Sequence, residues 1–327
     1  MNPVQPVLDR VDRWQRRTPV VAVAFAVDKK FSNDRLNLYV VALGWYGFLS
    51  IYPLLLVVVT IFGFIGVSSL GTGIVSTLHQ FPVVGSQFNP ENPTQQLHGS
   101  SFGLVIGLLG LLYGTQGVMQ TAQGAMEQAW NVPLDDRPGF LPRLGRSMLG
   151  LAIIGGTFLV NAALSSLATG SGHSLLLRVG IVVGMLVLNI LGYGAAFRCL
   201  TPTRSIRDLI PGVLLGAFTF TALITVGSGL VQHQLRHSSS TYGQFGAVIG
   251  LVGVLLLMAK LSLYGAELNP VLRRRLWPRA LVSSNPTAAD DRAQKGLTLE
   301  TTSRKNEVVS VEFGDQDAAT QLDVETD

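Results

Sequence analysis

Residues 243–270 read GQFGAVIGLVGVLLLMAKLSLYGAELNP. Between Gln244 and Leu268 the only charged side chains are Lys260 and Glu267. A helix rising 1.5 Å per residue crosses the bilayer core of about 30 Å in roughly 20 such residues. Five more apolar windows lie upstream, at about 38–65, 101–120, 147–168, 175–197 and 209–231, and this one covers about 244–268. Composition agrees with that reading. Of 327 residues 48% are apolar and 13% charged, against about 25% charged in an ordinary soluble chain. The expected fold class is all-α, a polytopic membrane protein of six transmembrane helices with interfacial amphipathic helices. Pro53 predicts a kink or a split in the first, long window. Cys199 is the single cysteine, which excludes an internal disulfide framework and a cysteine-based zinc site.

Orientation follows from lysine and arginine in the flanking segments. Segments 1–37, 121–146, 198–208 and 269–287 carry seventeen of them, while the opposite side carries only Arg178 and Arg236. The protein is therefore expected to be a multi-pass protein of the plasma (inner) membrane with both termini cytoplasmic. Arg16-Arg17 ahead of the apolar run 19–27 resembles a signal peptide. The run is short and ends in Asp28-Lys29-Lys30 with no cleavage region, so 1–37 reads as a cytoplasmic amphipathic segment. Val7, Leu8, Val11 and Trp14 share a helical face suited to lying on the inner leaflet. The body, 1–287, has twice as many basic as acidic residues, whereas 288–327 has four basic and ten acidic ones. Segment 269–327 is expected to be a cytoplasmic, acidic, disordered tail.

Small residues mark where helices pack in a bilayer, because lipid tails give apolar surfaces no other reason to associate. Gly103, Gly107, Gly110, Gly114 and Gly117 form one seam, continued by Thr121 and Gly124. Gly243, Gly246, Gly250 and Gly253 form another, continued by Leu257, Lys260, Tyr264 and Glu267. Both seams are expected to face other helices. Lys260 and Glu267 are candidates for lining a polar interior, seven residues apart on one face, and Asn161 and Asn189 are two more. The plainer alternatives are a snorkelling lysine and helix-to-helix hydrogen bonding by the asparagines. Beyond the second span, Val118, Met119, Ala122, Ala125, Met126, Ala129 and Trp130 recur at helical spacing opposite Gln120, Gln123, Glu127 and Gln128. That pattern predicts an amphipathic continuation into the interface that stops before Pro133.

Several stretches resemble the YihY/virulence factor BrkB family of membrane proteins. They are Leu43–Leu56 (LGWYGFLSIYPLLL), Gly117–Asn131 (GVMQTAQGAMEQAWN), Asp208–Gly216 (DLIPGVLLG), Tyr242–Ile249 (YGQFGAVI) and Tyr264–Asn269 (YGAELN). In order, they cover about 36–275. The resemblance implies six spans, cytoplasmic termini, and a role in envelope integrity or in transport of envelope lipids or other amphiphiles. Lys260 stands where the family pattern is apolar, and the acidic tail lies outside the resemblance.

The family has also carried the label ribonuclease BN, which the residues speak against. A nuclease needs an acid and a base, or clustered carboxylates holding metals. The segments assigned to the cytoplasm contain no histidine, and Glu127, Asp135, Asp136 and Asp208 lack metal-ligand spacing. There is no basic-aromatic platform for single strands. The expectation is no enzyme, no catalytic residue, no nucleic-acid partner and no cofactor. The five histidines, His79, His98, His173, His233 and His237, all fall on the outer side. His233 and His237 have zinc-protease spacing, but Gln234 replaces the glutamate base, so the pair is a metal candidate only. Two functions remain, a transporter- or flippase-like protein for an envelope lipid or other amphiphile and a non-transporting scaffold for envelope integrity. Membrane lipids are the expected partners; a second copy of the chain and a cytoplasmic partner for the acidic tail are also considered.

Overall fold

Six long helices fall on the six apolar windows. The computed structural model describes residues 12–65, 101–168, 174–201, 205–237, 243–281, 286–303, 307 and 309. A helical turn at 12–17 precedes α1 (Pro19–Asn33), α2 (Leu36–Ile65), α3 (Ser101–Ala129), α4 (Phe140–Ala168), α5 (Leu175–Leu200), α6 (Ile210–His237), α7 (Gly243–Arg273) and α8 (Ala288–Glu300). Helices α2 to α7 are 26 to 31 residues long. Pro53 does not divide α2, which runs unbroken to Ile65. Each of the six packs on its neighbours in chain order, and α7 returns to α2, so they close a ring. Within it, Leu176–Leu200 and Val248–Arg273 are long and apolar enough to cross a membrane, yet only 17% of either window is buried. A soluble protein's core helix would be covered. These leave an apolar face outside.

The packed core sits at the arginine-rich end of the ring. Met126 and Trp130 from α3 and its end, Phe197 and Leu200 from α5, Val213 from α6 and Ala266 from α7 form one cluster. Phe31, Leu36, Val40, Ala125, Ala129 and Leu263 form a second, and Val27 with Val271 belongs to a third. Three helices end here on non-glycine residues with positive φ: Arg35 at 54°, Asn131 at 46° and Arg275 at 52°. Such residues reverse the chain and satisfy orphan carbonyls. After them, Val132 N–H reaches Glu127 O and Leu276 N–H reaches Val271 O, each at 2.9 Å.

The seam on α3 packs as its spacing predicts. A side-chain carbon at Gly117 would stand 2.5 Å from the Tyr46 ring, and one at Gly114 would stand 2.7 Å from Ser50 Oγ on α2. Gly107 is buried and Gly110 half-buried, while the surroundings of Gly103 and Gly246 lie outside the described residues. The seam on α7 turns out differently. Gly250 and Gly253 are exposed with nothing within 4 Å of an added carbon. Its glycines face outward because α7 meets α2 through Leu255 and Leu256, which pack on Gly47 and Gly44. We expect Gly117→Leu to lower thermal stability in detergent and Gly250→Leu to leave it unchanged. Overpacking of this kind costs about 1–3 kcal/mol or more.

The disorder expected for 269–327 does not hold for 269–281 or for 286–303, and residues 276–281 and 286–303 form a strap across the arginine-rich end. Thr287 caps α8 in a reciprocal box with Asp290. Asp290 also accepts from Lys29 Nζ at 3.0 Å, Arg279 Nε at 3.0 Å and Ala280 N–H at 2.9 Å. Gln15 donates to Arg279 O at 2.7 Å, and Asp12 accepts from Leu281 N–H at 2.9 Å, so the two terminal regions hold each other. Farther along, Glu300 accepts from Arg137 and from Asn131, each at 3.1 Å. Burial pushes the Asp290 carboxyl up, but the Ala280 and Thr287 N–H groups and the Lys29 ammonium outweigh it and hold it well below the usual range. A carboxyl so held contributes stability that is present above its unfolded pKa and lost as pH falls through the folded one.

Candidate functional site

Lysine has little reason to enter an apolar helix face, yet Lys30 of α1 sits on one beside Ala26, Val27 and Phe31. Phe31 stacks on Tyr264 with ring centroids 4.3 Å apart, and Tyr264 Oη donates to Asp28 at 2.6 Å. These contacts press α1 onto the outer face of α7 and bury the lysine. Lys30, Asp34 and Glu267 are 2%, 1% and 0% exposed. Lys30 Nζ donates to Asp34 Oδ2 in a very short contact, to Glu267 Oε1 at 3.2 Å and to the Ala129 carbonyl at 2.7 Å. One ammonium therefore serves two carboxylates, and Asp34 Oδ1 is buried with no partner. Elements from four helices converge here: α1, the end of α3, the corner leading into α2, and α7.

A second layer of charge surrounds the cluster. Arg274 donates to Trp130 O at 2.6 Å, fixing the end of α7 to the end of α3. Glu127 accepts from Arg143 at 2.6 Å and lies 3.9 Å from Arg137. Burial pushes the Glu127 carboxyl above its ordinary value, against the pull of those arginines. Asp208 pairs with Arg273 at 3.4 Å.

Elsewhere in the ring the two asparagines meet. Asn161 of α4 donates to Asn189 of α5 at 2.8 Å, and Asn189 donates to Thr221 of α6 at 2.9 Å. All three are buried, and Asn161 Oδ1 is left without a partner. This ladder ties three consecutive helices, as hydrogen bonds between apolar helices do. Tyr193 of α5 and Ser262 of α7 make a further link at 2.8 Å.

Of the charges singled out in the apolar windows, Glu267 is interior and Lys260 is not. Lys260 is exposed, its ammonium 5.9 Å from the centre of the Tyr264 ring. The two residues do share a face of α7. That face is covered by α1 only from Tyr264 onward, one turn beyond Lys260. Lys260 is thus set aside as an interior group, and the glycines Gly250 and Gly253 above it share its outward direction. The partner of Glu267 is Lys30, which sequence reasoning assigned to the surface segment. One signal was legible: Lys30 and Asp34 are four residues apart, in a stripe with Ala22, Ala26, Val27 and Phe31. His79, His98 and His173 lie outside the described residues, as do the side chains of His233 and His237. Among the described residues no group of three histidines, cysteines or acids could hold a metal ion.

The family model described as virulence factor BrkB matches residues 27–290. The chain belongs to the virulence factor BrkB family. The match begins at Val27, three residues before Lys30, and ends at Asp290, so this BrkB-family segment includes the whole ionic cluster and the cap of α8. No curated protein and no solved structure matches the chain. As a BrkB-family protein it is a membrane protein, in keeping with apolar helices left uncovered in the ring.

Proposed function

We propose that this BrkB-family protein is transporter- or flippase-like for an envelope lipid or other amphiphile. In this reading α2 to α7 all span the plasma (inner) membrane, with the arginine-rich end and both termini in the cytoplasm. The observation that carries it is the Lys30–Asp34–Glu267 cluster. Three ionisable groups withdrawn from water are expensive, and well-packed apolar residues are often as stabilising. A passive bundle has no use for them, whereas ionisable groups at such sites in membrane proteins commonly serve movement of a substrate or ion. The cluster closes the arginine-rich end. At other positions along the ring, Gly155, Gly156, Gly180 and Gly184 have open space beside them. A bundle locked at one end by ion pairs is suited to opening there when the pairs rearrange.

The second reading, a non-transporting scaffold, is favoured by the strap that ties the terminal regions together. Neither reading assigns catalysis. Glu127 and Asp208, acids a nuclease would need free, are engaged by Arg143 and Arg273. The deciding experiment reconstitutes the protein in vesicles holding a fluorescent phospholipid and follows bleaching by an impermeant reductant. We expect faster exchange between leaflets than in protein-free vesicles, and slower exchange again when Lys30, Asp34 and Glu267 are all replaced by apolar residues. Exchange at the protein-free rate, with and without a proton gradient, leaves the scaffold.

A further inference from the structure

Between α5 and α6, next to the arginine-rich end, runs a groove of about 330 Å³. Its walls are apolar, with Ile190, Leu191 and Gly194 on α5 and Ile210 and Leu214 on α6, and Arg198 lines it at the α5 end. Leu191 is 66% exposed and Leu214 49%, so the groove opens on the outer, lipid-facing side of the ring rather than into its interior. From Leu191 to Arg198 is about 10 Å along the helix. Gly194 keeps the floor low. An added carbon there would meet only Val213, at 3.9 Å.

Arg198 is exposed and has no acid partner among the described residues. The nearest acid in the following turn, Asp208, is taken by Arg273. Arg207, also exposed, stands in the same turn at Ile206–Asp208. An unneutralised guanidinium at the head of an apolar channel is complementary to an anionic phospholipid, a component of biological membranes. The phosphate accepts from the guanidinium, and an acyl chain fills the channel. Basic pockets beside membrane helices hold anionic head groups on the same principle.

We propose that the groove between α5 and α6 is a resident binding site for an anionic phospholipid, with its phosphate on Arg198 and one acyl chain along Leu191 and Leu214. This needs the ring to sit in a bilayer but does not need transport, so the vesicle exchange assay and the test below fail independently.

The test is native mass spectrometry of the full, detergent-purified chain with phosphatidylglycerol or phosphatidylcholine of matched acyl chains. We expect phosphatidylglycerol to be retained about tenfold more strongly, equivalent to about 1.4 kcal/mol. Arg198→Gln, at an exposed position, should bring it to the phosphatidylcholine level. Gly194→Leu should fill the channel and lower retention of both lipids, with an unchanged melting temperature showing that the fold survives. Arg275→Gln, which removes one charge away from the groove, should change nothing. Equal retention of the two lipids by the unmodified protein overturns the proposal. So does an equal loss in Arg275→Gln, which would mean bulk charge, or displacement by millimolar inorganic phosphate, which would mean a free-anion site.

Discussion

Lys30→Met is expected to cost about 3–5 kcal/mol of stability, the range for removing one partner of a buried ionic group. The reason is charge, since methionine fills much the same volume. Without the ammonium, Asp34 and Glu267 face each other with no cation between them, and the Ala129 carbonyl loses its donor. Thermal melting in detergent, with size-exclusion profiles before and after heating, measures the effect. Replacing all three groups together, as Lys30→Met, Asp34→Leu and Glu267→Met, should recover most of the loss, because no unpaired charge then remains. Wild-type melting of the single variant would show that a proton shared by the two carboxyls, water or another cation takes the place of the ammonium. A triple variant that melts normally yet loses lipid exchange would separate the role of these charges in movement from their role in folding.

Gly212→Ala is the second large effect. The added carbon would be driven into the Gly265 carbonyl oxygen, and it would stand 2.5 Å from Asn269 Nδ2. Backbone meets backbone at this crossing of α6 and α7, so no flexible side chain can give way. Asn269 Oδ1 also accepts from the Gly212 N–H at 2.7 Å, holding the two helices in register. We expect a loss at or above the upper end of the 1–3 kcal/mol usual for overpacking. Gly265→Ala should behave similarly, with its added carbon 2.8 Å from the Gly212 carbonyl oxygen. Gly180→Ala is the control, having open space around it. It should be neutral or gain up to about 1 kcal/mol from helix propensity. Equal melting temperatures for Gly212→Ala and Gly180→Ala would refute the close approach.

Much of this architecture is legible in the order of the residues. The apolar windows mark where the long helices lie, and the glycine rhythm of α3 finds its packed face. The amphipathic pattern from Val118 to Trp130 identifies a helical stretch but not its surroundings, because Gln123 and Glu127 from its polar side are buried together with Met119, Ala125, Met126, Ala129 and Trp130. Asn161 and Asn189 are inside, as polar residues in apolar helices tend to be. The strap carried a signal that composition obscured. Thr287-Ala-Ala-Asp290 is a capping box, although the residues around it are polar enough to suggest disorder.

The sequence by itself determined where the six long helices lie and which of their residues share a face, because those follow from local periodicity and from the length an apolar run needs; it did not mark α8 as a helix. Only the tertiary structure decided which way each face turns. In water a polar face points out and an apolar face points in. Beside lipid both directions are apolar, so Gly114 and Gly117 meet Ser50 and Tyr46 while Gly250 and Gly253, on the same spacing, meet nothing. The partner of Glu267 was equally out of reach, since Lys30 lies 237 residues away. No local rule pairs them; the stacking of Phe31 on Tyr264 does, by bringing α1 across the end of α7 and closing water out from the charges.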